Sequence, residues 1–217
     1  MLYAIYHWFV RITGYLPQLI LFRTKVHYED KSVQGRFIRS KAIVASNHNG
    51  LMDFAVLLFV FWNRTLRCAV AEITLDKNIF LKLLLKPFGC VRVDRDSYDM
   101  VFLDKMKRIL HSGGVVEIYP EARIPNKGES KPIAFKPSYV LLALESGAPI
   151  IPVYNNGKTM SGERRRVVIG KPIDVSTLYD DSLSERENIR IINDYVRGKI
   201  IELGQQIEKT KEKEKAL

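Results

Sequence analysis

A histidine and an aspartate, His48 and Asp53, lie five positions apart in the polar stretch 46–54. A short apolar run at residues 42–45 precedes this stretch and predicts a buried strand, and a second run at 54–60 predicts a helix. With His48 in the connecting turn and Asp53 in the first helical turn, the carboxylate can reach one imidazole nitrogen. That contact fixes the tautomer and leaves the other nitrogen free to accept a proton.

A His–Asp pair without a neighbouring serine or cysteine nucleophile most simply activates the substrate's own hydroxyl group as a general base. A serine hydrolase is disfavoured because the sequence contains no Gly-x-Ser-x-Gly elbow. The structural alternative is that His48 caps the turn and Asp53 neutralises the helix N-terminus. For the pair alone the structural alternative is favoured, because a His-x4-Asp match is short.

The charge of the chain points to an anionic partner. Its 217 residues, most simply one domain, carry 34 Lys and Arg against 24 Asp and Glu, a net charge of +10. A phosphorylated substrate, an acidic carrier protein, an anionic membrane and nucleic acid would all suit this excess. Nucleic acid is the poorest fit, since basic and aromatic residues are not interleaved and no helix-turn-helix or RRM signature occurs.

The cysteine and histidine content predicts neither disulfides nor a metal site. Cys68 and Cys90 stand in apolar contexts typical of reduced core residues in a cytoplasmic protein. The sequence contains no Cys/His cluster with the spacing of metal ligands.

The N-terminal 22 residues form the most hydrophobic segment, but they predict neither a signal peptide nor a membrane span. His7, Arg11, Gly14 and Gln18 form a less apolar stripe, and the rest of the helical surface is apolar. This pattern is typical of a helix lying in the membrane interface, bent near Gly14 and Pro17. A helix packed on the core of its own domain fits the pattern equally well.

Strands and helices alternate along the rest of the chain, which predicts an α/β fold with a mixed, mostly parallel central sheet flanked by helices. Predicted strands lie within 26–44 and at 66–71, 90–93, 115–119, 149–154 and 167–170, the last as an edge strand. Predicted helices lie at 54–63, 79–85, 97–111 and 137–146, and from Ser182 or Ser184 to about Ile207. Residues 209–217 form a charged tail.

Four segments in order resemble the motif blocks of the glycerolipid acyltransferases, most closely those of the bacterial 1-acyl-sn-glycerol-3-phosphate (lysophosphatidic acid) type. They are Asn47-His48-x4-Asp53 and residues 89–95, 119–123 and 148–153, and the resemblance covers residues 41–173. Together with the hydrophobic pattern of the N-terminus, it predicts an N-terminal membrane-associating helical segment at 1–25 and an acyltransferase domain at 26–208.

The resemblance implies roles for the first block. His48 deprotonates the free hydroxyl of the acceptor, and Asp53 orients His48. The alkoxide attacks an acyl thioester carried by coenzyme A or acyl carrier protein, and this donor is a substrate, so no cofactor is needed. A backbone N–H near Asn49 and Gly50 could stabilise the oxyanion.

The second and third blocks of the resemblance imply a site for the acceptor's phosphate. Arg95 and Arg123 would bind it bidentately, Glu121 would position the acceptor or its partners, and Lys136 would add a phosphate or donor contact. From the residues alone, Arg95 could equally pair with a neighbouring aspartate, and Arg123 could be a solvated loop charge.

This chain departs from the pattern of the family at several positions. Tyr119 stands where the third block usually has Phe, Ala122 stands in place of Gly, and Arg123 comes one position early. Because alanine adopts positive φ less freely than glycine, the sequence predicts a loop of different shape. Gly50 and Arg92 depart from the Ser and aromatic residues that are common in the first two blocks.

The resulting expectation is an enzyme that makes phosphatidic acid from lysophosphatidic acid at an anionic membrane surface. It would be a peripheral or monotopic protein of the cytoplasmic face of the cell membrane, with acyl carrier protein as a candidate partner and no role for nucleic acid. Two alternatives stay open: the same chemistry on another lysolipid or an amino-lipid, and a non-catalytic basic protein that binds anionic membrane or nucleic acid.

Overall fold

The computed structural model describes residues 2–71, 88–93, 100–126, 128–129, 132–158 and 163–215. Its strands are β1 (Lys25–Tyr28), β2 (Ala42–Ser46), β3 (Leu66–Ala71), β4 (Val91–Val93), β5 (Val115–Ile118), β6 (Ile150–Asn155) and β7 (Arg166–Ile169). Its helices are α1 (Leu2–Leu21), α2 (Asp53–Val60), α3 (Met100–His111), α4 (Ser138–Ser146) and α5 (Glu185–Lys215), with a 3₁₀ turn at Val175–Leu178.

The seven strands form one sheet in the order β1-β7-β6-β2-β5-β3-β4. β6, β2, β5, β3 and β4 are parallel to one another, whereas β7 pairs with β6 in the antiparallel direction and β1 pairs in parallel with β7. The predicted mixed, mostly parallel sheet is therefore confirmed. The prediction that residues 167–170 form an edge strand is wrong, because β7 lies between β1 and β6.

The sheet lies between two layers of helices, and its central strands β2 and β5 are buried on both faces. In β2, Ile43 and Ala45 pack toward α3, α4 and α5, while Ala42 and Val44 pack toward α2. A strand buried on both faces must be apolar at every position, which explains the uninterrupted hydrophobic run before His48.

α1 packs on α2 through its polar stripe. His7, Arg11 and Gln18 are buried, and a Cβ atom at Gly14 would lie 2.9 Å from the ring of Phe59, so glycine permits this close approach. The apolar face points the other way, and Ile12 is 72% exposed. No helix in the described ranges combines the length and the apolarity that a bilayer crossing requires.

The last helix, α5, begins where the sequence predicts but ends later. α5 begins after Ser184, whose hydroxyl and backbone N–H form a capping box with Glu187, as the sequence pattern of that segment suggests. It continues to Lys215, beyond the predicted end near Ile207, so that part of the charged stretch is helical. The helix predicted at 79–85 and the cap predicted at Ser97 lie outside the described residues.

Candidate active site

The carboxyl ends of parallel strands meet at one edge of the sheet, and the candidate residues lie at that edge. β2 ends at Ser46, just before His48, and β5 ends at Ile118, just before Tyr119 and Glu121. β7 runs in the opposite direction, so its start, preceded by Arg165, lies at the same edge.

His48 and Asp53 form a hydrogen-bonded pair, as the sequence predicts. The Nδ1 atom of His48 lies 2.9 Å from Oδ2 of Asp53, whose side chain is completely buried. Because an ionised carboxylate only accepts hydrogen bonds, Nδ1 carries the hydrogen and Nε2 keeps its lone pair. The same Oδ2 accepts the backbone N–H groups of Asn49 and Gly50, at 2.6 and 2.9 Å.

These two amides lie in the turn where the sequence suggested an oxyanion donor. Both are engaged by Asp53, and the neighbouring N–H of His48 donates to Oε1 of Glu121 at 2.7 Å. All three backbone donors thus hold the turn in place, and none of them is available to an oxyanion in this conformation.

Glu121 fastens the loop after β5 to the His48 turn. Its second carboxylate oxygen accepts the N–H of Ile133 at 3.1 Å, so one buried side chain joins three segments of the chain. Its observed contacts are therefore to backbone groups of the protein, and through the turn they position the imidazole.

Tyr119 forms one wall of the site. Its ring stacks on the imidazole of His48 with centroids 4.4 Å apart, and its hydroxyl donates to the buried carboxyl group of Glu117. Burial raises the pKa of Glu117 to about 8, an effect that the Tyr119 hydrogen bond opposes and the charge of Asp53 adds to. At neutral pH the Glu117 side chain is a neutral acid.

Two asparagines join β2 to the end of β6 beneath the pair. The side-chain amide of Asn47 donates to the carbonyl of Asn155 at 2.9 Å and accepts its N–H at 2.8 Å. The side chain of Asn49 donates to the same carbonyl at 2.8 Å. The residues on both sides of His48 are thereby tied to one strand end.

Arg165 completes the buried network. Its Nη2 atom donates to Oδ1 of Asp53 at 2.6 Å and to Oδ1 of Asn155 at 3.3 Å, and the side chain is 1% exposed. Burial lowers the pKa of Arg165, and the charge of Asp53 opposes that shift.

A cavity of about 910 Å³ opens beside His48. Its described wall is mainly apolar and comes from four strands or their ends and three helices, and it includes Val93, Phe102, Leu103, Ile118, Leu141 and Ile189. Charged side chains also line it, namely Lys136, Glu185, Arg186, Glu187 and Arg190. Among the described residues, no group of three His, Cys, Asp or Glu side chains could hold a metal ion.

The predicted phosphate-binding residues are placed differently from one another. Lys136 lines the same cavity as His48. Arg123 is exposed and donates to both carboxylate oxygens of Glu129 at 2.7 Å, a contact that lowers the pKa of Glu129 to about 2. Arg95 lies outside the described residues, but Val93, two positions before it, lines the cavity.

Ala122 adopts the left-handed conformation, with φ of 58°, despite its side chain. Its N–H donates to the carbonyl of Tyr119 at 2.9 Å, closing the turn between the stacked tyrosine and the loop that carries Arg123. The alanine therefore takes a backbone conformation that glycine adopts more readily, at a cost of about 1 kcal/mol.

Sequence reasoning missed Arg165, Asn155 and the contact between Tyr119 and His48. Arg165 lies 112 positions from Asp53, and only the order and direction of the strands bring them together. The one available signal was a charged residue, within a run of three arginines, immediately before a strand of buried apolar residues.

The fold and the site together define an α/β enzyme that carries a histidine–aspartate pair at the carboxyl edge of a mostly parallel sheet. The sequence profile of the family described as Acyltransferase matches residues 23–156, which is more than half of the chain, and the chain therefore belongs to this family. The resemblance of the four motif blocks is confirmed, and the protein is an acyltransferase. No sequence among the curated proteins gives a significant match.

The fold is similar to that of a solved structure, the 1-acyl-sn-glycerophosphate (LPA) acyltransferase PlsC from Thermotoga maritima. The TM-score is 0.60, with 20% sequence identity over 94% of this chain and 95% of that chain. The likeness extends over nearly the full length of both chains.

Proposed function

We propose that this acyltransferase transfers a fatty acyl group from an acyl thioester to the free hydroxyl of 1-acyl-sn-glycerol-3-phosphate, giving phosphatidic acid. The contact that carries the proposal is the 2.9 Å hydrogen bond between the buried Asp53 and His48, which lines the cavity. The activity for which the similar Thermotoga maritima protein is named supports the choice of acceptor.

In the proposed reaction, Nε2 of His48 takes the proton of the acceptor hydroxyl while Asp53 stabilises the imidazolium. The alkoxide oxygen attacks the thioester carbonyl carbon and a tetrahedral intermediate forms. The carbon–sulfur bond then breaks, and the thiolate takes the proton from the imidazolium. The products are the new ester and the free thiol of coenzyme A or acyl carrier protein, and both donors remain candidates.

The cavity is the proposed site of the acyl chain. Its volume of about 910 Å³ and the apolar side chains of α3, α4 and α5 suit a long hydrocarbon chain. Because His48 lines the same cavity, an acyl chain bound there could place its carbonyl end near the imidazole.

The proposed phosphate contacts are Lys136 and Arg95, with Arg123 as a third. Lys136 shares the cavity with His48, which supports its role. In the described conformation Arg123 is paired with Glu129, so it would have to exchange that carboxylate for the phosphate. Guanidinium groups bind either anion with the same bidentate geometry, so the exchange requires no change in chemistry.

The acceptor and the acyl chain are lipids, and the proposed site of action is the membrane surface. The outward apolar face of α1 supports this, since Ile5, Phe9, Ile12, Leu16 and Ile20 are all exposed. The net charge of +10 would attract anionic headgroups, and the helix would lie in the interface as a peripheral or monotopic anchor. The cytoplasmic face suits an enzyme whose donors are soluble thioesters of the cytoplasm.

The test is acyl transfer by purified protein with lysophosphatidic acid as acceptor, measured with radiolabelled acyl-coenzyme A and, separately, with acyl-acyl carrier protein. His48→Ala should abolish turnover while circular dichroism and vesicle binding stay at wild-type levels. His111→Ala, at the exposed end of α3, is the matched control. Wild-type turnover by His48→Ala would refute the proposed mechanism.

An amino-lipid or another lysolipid is the second candidate acceptor. It is favoured by the pairing of Arg123 with Glu129 and by two carboxylates, Glu185 and Glu187, in the cavity wall. A panel of acceptors with one fixed donor decides between the two. A preference for an acceptor without phosphate would exclude the phosphate-binding roles of Arg95, Arg123 and Lys136.

A further inference from the structure

We propose that Arg165 is a positioning residue of the His48–Asp53 pair. Its guanidinium holds one oxygen of Asp53 so that the other oxygen faces the imidazole of His48. The inference rests on the proposed function, because it assigns a role within that site.

The two carboxylate oxygens of Asp53 accept hydrogen bonds from different partners. Oδ2 accepts from the imidazole and from two backbone N–H groups, whereas Oδ1 accepts from Arg165 at 2.6 Å. A carboxylate fastened at both oxygens cannot rotate about its terminal torsion. Loss of the Arg165 contact would leave one oxygen of a fully buried carboxylate without its charged donor.

The same guanidinium is linked to the His48 turn through Asn155. Its contact with Oδ1 of Asn155 joins it to the residue whose backbone pairs with the Asn47 side chain, immediately before His48. Arg165 therefore contacts both Asp53 and Asn155, the residue that holds the turn of His48.

The other contacts of Arg165 do not provide a structural reason for burying a charge. Among the described residues its Nε and Nη1 atoms have no hydrogen-bond partner, and its guanidinium carbon lies 6.0 Å from the centre of the Phe22 ring. Burying an ion pair does not by itself stabilise a fold, because desolvation offsets the attraction. The hydrogen bonds that Arg165 does make are directed to Asp53 and Asn155.

The titratable and charged groups of the described residues around His48 come from four elements or their adjoining loops. They are Asp53 of α2, Glu117, Tyr119 and Glu121 of β5 and the following loop, Lys136 before α4, and Arg165 before β7. The pKa of Glu117 is about 8, so this group stays protonated through the acidic range. Among these groups, Arg165 is the cation that contacts the carboxylate of the pair.

The experiment compares Arg165→Gln and Arg165→Lys with Arg164→Gln in the full-length protein. Arg164 is the exposed neighbour, so its variant makes the same charge change outside the buried network. Acyl transfer from the donor that the wild type uses is measured from pH 5 to pH 9 as kcat and KM, and circular dichroism gives the folded fraction.

Arg165→Gln should lower kcat roughly 10- to 100-fold with little change in acceptor KM, because the imidazole is misplaced rather than the substrate. Arg165→Lys should restore part of kcat, since an ammonium group keeps the charge and a donor for Asp53 but not the planar fork of the guanidinium. Arg164→Gln should match the wild type.

Wild-type kcat for Arg165→Gln after correction for folded fraction would overturn the inference. So would a loss that lies entirely in acceptor KM with kcat unchanged. If Arg165→Gln does not fold, Arg165→Lys decides alone: full kcat overturns the inference, and reduced kcat with unchanged acceptor KM supports it. The proposed function fails by a different result, wild-type turnover in His48→Ala.

Discussion

The carboxyl group of Glu117 in β5 is fully buried and contacts Tyr119, whose ring stacks on His48. The hydroxyl of Tyr119 donates to one of its oxygens, and the other has no hydrogen-bond partner among the described residues. Its pKa of about 8 stands well above the ordinary value of 4.5 because burial penalises the charged form. Between these two values the unfolded chain releases this proton and the folded chain retains it.

Stability should therefore fall as pH rises from about 4.5 to about 8 and level off above that range. Glu117→Gln keeps the oxygen that accepts from Tyr119 but does not titrate. Relative to the wild type it should gain about 4 kcal/mol of unfolding free energy between pH 5 and pH 8.5, since each unit of pKa shift corresponds to about 1.4 kcal/mol. Urea unfolding at the two pH values measures this.

Glu145→Gln is the matched control, because Glu145 is exposed on α4 in an ion pair with Lys107. Surface substitutions of this kind change stability by less than about 0.5 kcal/mol. Equal stability of Glu117→Gln and wild type at both pH values would show that the Glu117 carboxyl group titrates normally.

At this scale the sequence predicted the pair and missed its supports. His48 and Asp53 are close in the chain, so the turn and the helix between them sufficed to predict their contact. Arg165 and Asn155 reach the pair only through the order and direction of β6 and β7, which no local pattern specifies. Ala122 shows the opposite case, in which a residue predicted to reshape its loop adopts positive φ instead.

At the scale of elements, the junction between α1 and α2 is held by arginines at a helix end. Arg11 donates to the carbonyls of Leu58, Phe61 and Arg64, at 3.2, 3.2 and 2.5 Å. These carbonyls lie at the C-terminal end of α2, where helix carbonyls lack partners and the helix dipole favours a cation. Burial lowers the pKa of Arg11 to about 10, so it remains charged at neutral pH.

Arg11→Met keeps the apolar stem and removes these bonds, and it should cost roughly 2 kcal/mol because hydrogen bonds from a buried charged group are lost. During unfolding of this variant, α1 should separate from α2 before the rest of the domain unfolds. Trp8 of α1 lies 6.1 Å from Trp62, so tryptophan fluorescence during thermal unfolding reports this contact directly.

Arg36→Met supplies the comparison. Arg36 donates to the carbonyls of Phe59 and Val60 at the same helix end, but it does not belong to α1. Its loss should destabilise α2 without an early change in tryptophan fluorescence. Simultaneous early transitions in both variants would contradict the assignment of α1 attachment to Arg11.

Most elements were predictable because the chain marks them with strong patterns. Apolar runs marked β2, β3 and β5, and Gly147 in the left-handed conformation ends α4, as glycine after a helix predicts. The position of β7 inside the sheet was not predictable from its sequence. An interior strand and an edge strand covered by other elements are both buried on both faces, so both have the same uninterrupted apolar run. The length of α5 was missed because its last turns are charged rather than amphipathic.

At the scale of the whole molecule, the exposed apolar face of α1 continues onto the domain. Trp62 packs edge-to-face on both Trp8 and Phe37, with centroids 6.1 and 5.1 Å apart, and all three rings are partly exposed. A large exposed apolar surface marks a site of interaction, and its aromatic rim suits the headgroup region of a bilayer.

Ile12→Asp should weaken binding to phosphatidylcholine–phosphatidylglycerol vesicles by roughly tenfold or more, since burial of one isoleucine side chain contributes at least about 1.5 kcal/mol. Ile191→Asp makes the same change at an exposed isoleucine of α5 and should leave binding unaltered. Vesicle sedimentation measures both. Equal binding by the two variants would mean that the charge of the protein, rather than α1, accounts for its membrane affinity.

The reversal of β7 has a consequence for how this enzyme could diversify. The position of Arg165 along the sheet is set by the pairing of Asn155 with Val167. It does not depend on the number of residues that connect β6 to β7. Chain between positions 158 and 164 could be lengthened, shortened or exchanged while the guanidinium keeps its place. A sheet with this register could accept a new rim beside the cavity while the His48–Asp53 pair and Arg165 stay in place.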